Sequence, residues 1–441
     1  MHLYHVKPGD TLQSVAHQHR ITTAALRAFN SLPQASYLLP GHALLIPSRL
    51  TASDLADDVD SGADSYATYV ATDTDSYATY RVQAGDTLRS IGERFRVPLT
   101  WIALCNHLSD RSLEAGELLL IPASSSQARG TKKKLGLLCL SPSRLPEDTS
   151  RPITFQGRSG LRVDAAGNLH LPALPDRQDG DEKLLLLCSL DGAANILADV
   201  AKAILTSEEA QARLLDRLGT CLRLADAHGV IFDWQSVRRE DEPAYLRFVK
   251  EAGRRLRPIG HRTGLLLFAS STCFRRASLL AELGRQIDLL LVEPVANSSA
   301  ESPPPPLIGT EDTRRALQTA TATFPAEKTW LVLRPSAVFV QRGQAVQHLS
   351  QQQAIDVAYL HGSPLIRDEA SELTWYRFPN IEEGHSVWLE DIQSFVRKLE
   401  ILEQMKLQGI ALWEVGGYFP DAWRYLYEQY EVLMDEAEGH K

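Results

Sequence analysis

The sequence predicts an α/β protein in which a (β/α)8 TIM barrel follows two small βααβ modules, and three observations predict it. First, Tyr4-His5-Val6-Lys7-Pro8-Gly9-Asp10-Thr11-Leu12 returns as Tyr80-Arg81-Val82-Gln83-Ala84-Gly85-Asp86-Thr87-Leu88, which marks an internal repeat. Second, an acidic stretch without a single Lys or Arg separates the two copies (51–79). Third, from Leu135 onward short apolar runs alternate with amphipathic segments, the pattern of parallel strands buried on both faces and joined by helices. These divide the chain into a first module (1–49), a linker (50–79), a second module (80–123), a second linker (124–134) and the barrel (135–435).

Each module opens with a short alternating strand and a Gly-Asp turn whose Asp or Thr can cap a helix. The match then continues through Ser14-Val15 and Ser90-Ile91, Asn30 and Asn106, Gly41 and Gly116, and Leu44-Leu45-Ile46-Pro47 and Leu119-Leu120-Ile121-Pro122. Two helical stretches around the Asn and a closing apolar strand complete a βααβ unit. The YxVxxGDTL opening, the internal Asn and the LxIP ending resemble LysM domains. That resemblance implies binding of peptidoglycan or chitin-like N-acetylglucosamine glycans, in a groove near Gly9, Asp10, Thr11 and Leu12 and near Gly85, Asp86, Thr87 and Leu88. For Asp10 and Asp86 two readings stand side by side, glycan contact or construction of the turn and cap. Two weak sites on one chain would gain by effective concentration on a repetitive polymer.

The linker between the modules holds seven Asp and repeats Asp64-Ser65-Tyr66-Ala67-Thr68-Tyr69 as Asp75-Ser76-Tyr77-Ala78-Thr79-Tyr80. So polar a segment buries little and reads as a spacer.

In the barrel region the runs at 135–140, 184–188, 229–233, 264–268, 287–292, 330–333 and 409–413 are the expected strands. The segments 208–227, 242–256 and 313–323 have the spacing of helices with one charged face. Function in such a barrel belongs at the C-terminal ends of its strands. There, Gly229-Val230-Ile231-Phe232-Asp233-Trp234-Gln235 resembles the fourth-strand signature DGxDxDxE of glycoside hydrolase family 18. Gly384-His385-Ser386-Val387-Trp388-Leu389-Glu390-Asp391 resembles the HxVWFED segment of spore-cortex members, and Gly409-Ile410-Ala411-Leu412-Trp413 with Phe419-Pro420-Asp421-Ala422-Trp423 resembles their eighth strand and helix. With the repeats in front, the chain resembles the N-acetylglucosaminidases of spore-forming bacteria.

Family 18 chemistry is substrate-assisted: an Asp orients the sugar's N-acetyl group, which attacks its own anomeric carbon, and a Glu two residues later protonates the leaving oxygen. The resemblance puts Asp233 in the orienting role and Gln235 in the place of the acid. An amide carries no acidic proton, so a contribution of about 10²–10⁴-fold is lost. His228 and Ile231 stand at the other acidic positions of the motif, and Val292 and Glu293 stand where the family's sixth strand has tyrosine and aspartate. These further departures favour natural decay over an isolated change at one residue. Glu293 and Glu414 are candidate replacement acids. Trp234, Trp413 and Tyr418 are candidate sugar-stacking platforms, with core packing the competing reading for Trp234.

Composition sets the outer bounds. The chain has 441 residues, 46 Lys+Arg against 55 Asp+Glu, a net charge of −9 and 44% hydrophobic residues. That is enough to build a large core, and the acidic excess argues against nucleic acid or anionic lipid as partners. Lys132 to Lys134 read as a solvated domain boundary. The opening residues lack the basic and apolar regions of a secretory signal, and no apolar run is long enough to span a membrane. Cys105, Cys139, Cys188, Cys221 and Cys273 lie far apart and read as buried thiols in a reducing compartment. No metal or cofactor is expected, because no His or Cys stands at ligand spacing from His228.

Three functions remain open: a glycan-binding protein of the spore cortex or coat with a non-catalytic barrel, a hydrolase with a replacement acid, or a structural component that contacts spore-coat proteins. The resemblance implies synthesis in the mother-cell cytoplasm and deposition on the spore.

Overall fold

The computed structural model describes residues 1–19, 21, 23–33, 37–46, 77–95, 102, 113–122, 132–141, 153–171, 183–296, 307–341, 346–378, 385–413 and 420–433. Eight parallel strands close into a barrel. Numbered around it, they are β1 (Lys133–Ser141), β2 (Phe155–Val163), β3 (Leu184–Leu190), β4 (Gly229–Phe232), β5 (Arg262–Phe268), β6 (Leu289–Glu293), β7 (Thr329–Leu333) and β8 (Gly409–Trp413). Each pairs with the next, and β8 pairs back to β1 with Gly409 opposite Gly136. The runs are apolar throughout because both faces are covered. Leu138, Leu187, Leu291 and Val332 meet inside the barrel around Trp330, while their alternates Leu137, Leu186, Leu290 and Leu331 pack beneath the helices. Trp330 fits because β1 carries a glycine beside it: a Cβ on Gly136 would lie 2.5 Å from the indole Cη2.

The apolar runs reveal seven of these strands but not β2. Its residues Gln156, Arg158 and Ser159 interrupt the hydrophobic pattern, and its register with β3 shifts between Ser159 and Leu161, as a bulge requires. Strand β1 begins at Lys133, inside the stretch expected as linker, and Lys133 Nζ lies 2.5 Å from Glu403.

Helix Glu208–Leu224 is capped by Ser207, whose hydroxyl accepts from the Ala210 amide, and it buries Leu214, Leu218 and Leu222 four residues apart. Helices Glu242–Leu256 and Thr310–Thr321 cover β4 to β7 in the same way. Among the described residues no helix is long and apolar enough to cross a membrane. Cys139, Cys188 and Cys273 are buried and unbridged, Cys221 is half-buried, and Cys105 lies outside the described residues.

Between β7 and helix Ile392–Gln404 the chain inserts a five-stranded antiparallel sheet. Its order is Gln347–Leu349, Ala337–Gln341, His385–Leu389, Thr374–Tyr376 and Ile366–Arg367, with helix Gln351–His361 packed on it. The carboxylates that end the His385–Asp391 segment hold this insertion to the barrel. Glu390 accepts from Lys398 Nζ at 2.7 Å with both side chains buried. Asp391 caps the following helix through the Ser394 amide and accepts from Thr374 and Arg367.

The first repeat pairs His2–His5 antiparallel with Ala43–Ile46 around helices Leu12–Gln18 and Thr23–Phe29. Asn30 explains its own place in the motif: its buried amide donates to Leu26 and Leu45 carbonyls and accepts from the Leu45 N–H. The second repeat shows strands Tyr77–Arg81 and Leu118–Pro122 and helix Leu88–Phe95. The second helix expected there, apart from Ile102, and Asn106 fall outside the described residues, as do 51–76 of the acidic linker.

The first repeat packs against the inserted sheet, with Leu38, Leu39 and Leu44 sharing one core with Tyr359, Leu365 and Tyr376. His42 is buried in that contact beside the Tyr359 hydroxyl, and burial pushes its imidazole down to about 4 against the weaker opposing pull of Asp391. In the unfolded chain it titrates near 6.5, so the unfolded state binds the extra proton first. Stability is therefore fully present above about pH 6.5 and declines as pH falls toward 4, by about 3 kcal/mol in total. Thermal melts of the protein and of His42→Gln at pH 7 and pH 4.5 check this: the variant should lose less stability on acidification, and equal losses would refute the assignment.

Candidate barrel-mouth site

Side chains of a strand alternate, so the inward residue one step beyond the apolar filling of each strand lines the C-terminal mouth. At the end of β4 Asp233 follows the inward Ile231, since Val230, Phe232 and Trp234 belong to the outer core, and Gln235, exposed in the turn that follows, hydrogen-bonds to Asp233. Glu293 follows Leu289 and Leu291 on β6, Arg334 follows Trp330 and Val332 on β7, and Trp413 follows Ala411 on β8. Sequence order alone scatters these residues, and barrel closure brings them to one rim.

Asp233 is the half-buried carboxyl at the centre. Burial pushes it up to about 6; a hydrogen bond with Gln235 and the charge of Arg334 oppose the rise, and Glu293 adds to it. Its Oδ1 has no hydrogen-bond partner. Beside it, Arg334 grips Glu293 with two bonds, Nε to Oε1 at 2.6 Å and Nη2 to Oε2 at 2.9 Å. The same guanidinium stands 4.0 Å from the ring centroid of Trp413, a cation–π contact worth about 0.5–2 kcal/mol. Arg334 therefore covers one face of the Trp413 ring and engages both oxygens of Glu293.

Several sequence expectations change. Trp234 is 2% exposed and stacks on Tyr245 and Phe248, so it is a core residue and presents no ring to a sugar. Val292 faces the helices; the inward position at the top of β6 belongs to Glu293, and no tyrosine stands on that strand. Glu293 is at the mouth, as expected from its strand end, but held by Arg334. Glu414 and Tyr418 lie outside the described residues. Arg334 escaped sequence reading although a signal existed, a charged residue directly after the apolar run Thr329–Leu333, two positions beyond an inward valine.

In the repeats, Asp10 accepts from the Lys7 amide and the Tyr4 hydroxyl at 2.7 Å each, and Asp86 accepts from the Gln83 amide and Tyr80 hydroxyl. Thr11 and Thr87 accept from the Ser14 and Ser90 amides as caps. These four residues build the turns. Gly9 and Gly85 both hold φ of +91° with open space where a Cβ would stand, so each turn presents bare backbone. Leu12 is buried in its repeat and Leu88 packs on the core of the other, so their side chains serve the two cores. Among the described residues no cluster of His, Cys, Asp and Glu could hold a metal.

Fold and mouth together define a (β/α)8 barrel, with Asp233, Glu293, Arg334 and Trp413 at its C-terminal rim, behind small βααβ modules. The LysM domain family matches residues 4–47 and 80–122, so the chain carries two LysM domains. Over its whole length it is similar to the cortical fragment-lytic enzyme of Bacillus subtilis (strain 168), 24% identical across 98% of this chain and 99% of that one. Its fold matches the spore cortex-lytic enzyme SleL of Bacillus megaterium QM B1551, with 21% identity, 98% of each chain covered and a TM-score of 0.69. Its fold also matches a chitinase from Chromobacterium violaceum ATCC 12472 with 18% identity, covering 67% of this chain and 98% of that one, at a TM-score of 0.58.

Proposed function

We propose that the protein binds N-acetylglucosamine glycans, spore-cortex peptidoglycan or a chitin-like polymer, through its LysM region, and that its barrel does not hydrolyse them. The observation that carries the reading is Gln235, an amide bonded to Asp233 at the position where the family 18 resemblance puts the proton donor. Arg334 supports it from a different direction, since a sugar ring stacking on Trp413 from the side of the guanidinium must displace an ion pair first. Deposition on the spore surface or cortex, where coat proteins are neighbours, follows from the same reading.

Retention on insoluble glycan and release of reducing ends, measured side by side on purified cortex and chitin oligomers, test it. Retention without release is expected; clear turnover overturns the non-catalytic barrel, and failure to be retained overturns the glycan partner. A second reading, a working hydrolase, has one observation in its favour: the Asp233 carboxyl, held near 6, keeps a proton in mildly acidic solution. That reading requires turnover that fades above pH 6 and disappears in Asp233→Asn.

A further inference from the structure

The two LysM domains are built alike locally and differ in what surrounds them. In each, two turns form one face. Val6 donates to His42 O and Gly41 donates to Val6 O, joining the Lys7–Asp10 turn to the Leu39–His42 turn; Val82, Glu117 and Gly116 repeat the arrangement, with bonds of 2.8 Å. Gly41 and Gly116 are equivalent positions, with φ of +84° and +92°.

In the first domain the second of these turns is covered. Leu365 of the inserted sheet donates to Pro40 O at 2.9 Å, the Tyr37 hydroxyl donates to Tyr359 O, and the His42 ring meets the Tyr359 hydroxyl at 3.1 Å. A Cβ on Gly41 would fall 1.9 Å from Leu365 O, whereas a Cβ on Gly116 would meet nothing within 4 Å. The far end of the first domain is held as well. Gln352 donates to Ser31 O, the Ser31 hydroxyl reaches Asp421, and Arg424 lies over Phe29. By contrast the described core of the second domain, Tyr80, Val82, Ile91, Ile102, Leu119 and Ile121, is closed on itself.

Resting on the glycan reading above, we infer that the first LysM domain is a docking module that braces the inserted sheet on the barrel, and that the second alone takes up glycan, through the face made by its Gln83–Asp86 and Glu114–Glu117 turns. An oligomer laid across both turns of such a face would meet, in the first domain, protein already seated on one of them. The chain therefore binds one oligomer, and avidity from two sites within one molecule is absent.

Hydrogen exchange of the full chain, with and without saturating hexa-N-acetylglucosamine, tests this together with calorimetric stoichiometry. Without sugar, the Gly41 and His42 amides should exchange at least about ten-fold more slowly than Gly116 and Glu117, because the two pairs make the same turn bonds and Leu365 and Tyr359 pack over Gly41 and His42. With sugar, new protection should be confined to residues 80–122, at one oligomer per chain. Tyr359→Ala should speed exchange at Gly41 and His42 and leave the second domain unchanged. New protection within 4–47, two sites per chain, or equal exchange of the two glycine turns would each overturn the inference while leaving the glycan reading intact. Absence of protection in both domains would overturn the two together. Wild-type exchange decides the matter even where the variant fails to fold.

Discussion

Neither the natural chain nor its Gln235→Glu variant should release reducing ends from N-acetylglucosamine oligomers above the blank at any pH between 4 and 8. An acid at position 235 restores at most the proton-transfer term of about 10²–10⁴-fold. It does not supply a tyrosine on β6, where the inward residue is Glu293, and it does not lift Arg334 from Trp413. Glu293 is a poor substitute donor because both its oxygens already accept from the guanidinium. Asp233 is a carboxyl in the mouth whose burial pushes it up to about 6, and the family 18 resemblance implies a place for it beside the N-acetyl group rather than the leaving oxygen. Release by the natural chain that vanishes in Glu293→Gln, or strong release by Gln235→Glu alone, would show that the mouth is more intact than its geometry suggests.

Lys398→Met should cost the barrel about 3–5 kcal/mol, the penalty for leaving a buried charge without its partner. Lys398 and Glu390 are 2% and 6% exposed, with 2.7 Å between Nζ and Oε1. Removing the ammonium strands the Glu390 carboxylate at the joint where the inserted sheet meets helix Ile392–Gln404. For a domain of this size the loss amounts to about 10 °C in Tm. Pairing the change with Glu390→Leu should recover most of it, since a buried ion pair replaced whole by apolar side chains is often neutral. Denaturant unfolding of the single and double variants measures both effects; a single variant within about 1 kcal/mol of wild type would mean that water reaches the pair.

Glu390 and Asp391 illustrate how far motif reading carries. The segment His385–Asp391 is recognisable in the sequence, and its carboxylates turn out to serve a helix cap and a buried ion pair. Asp10, Thr11, Asp86 and Thr87 are similar: the motif singles them out, and each has a local structural bond that accounts for its type.

The sequence by itself determined the two LysM domains and the α/β barrel, because each is written in local order: a repeated turn, a period of two or 3.6. Only the tertiary structure decided which side of β6 faces the mouth, that Trp234 lies in the core, that Arg334 clasps Glu293 over Trp413, and that one LysM domain is docked. β2 stayed hidden because Gln156, Arg158 and Ser159 break its apolar pattern. The docking stayed hidden because its partners, such as His42 and Tyr359, are 317 residues apart in the chain. No local periodicity reports a contact over such a distance; closure of the barrel and packing of the inserted sheet create it.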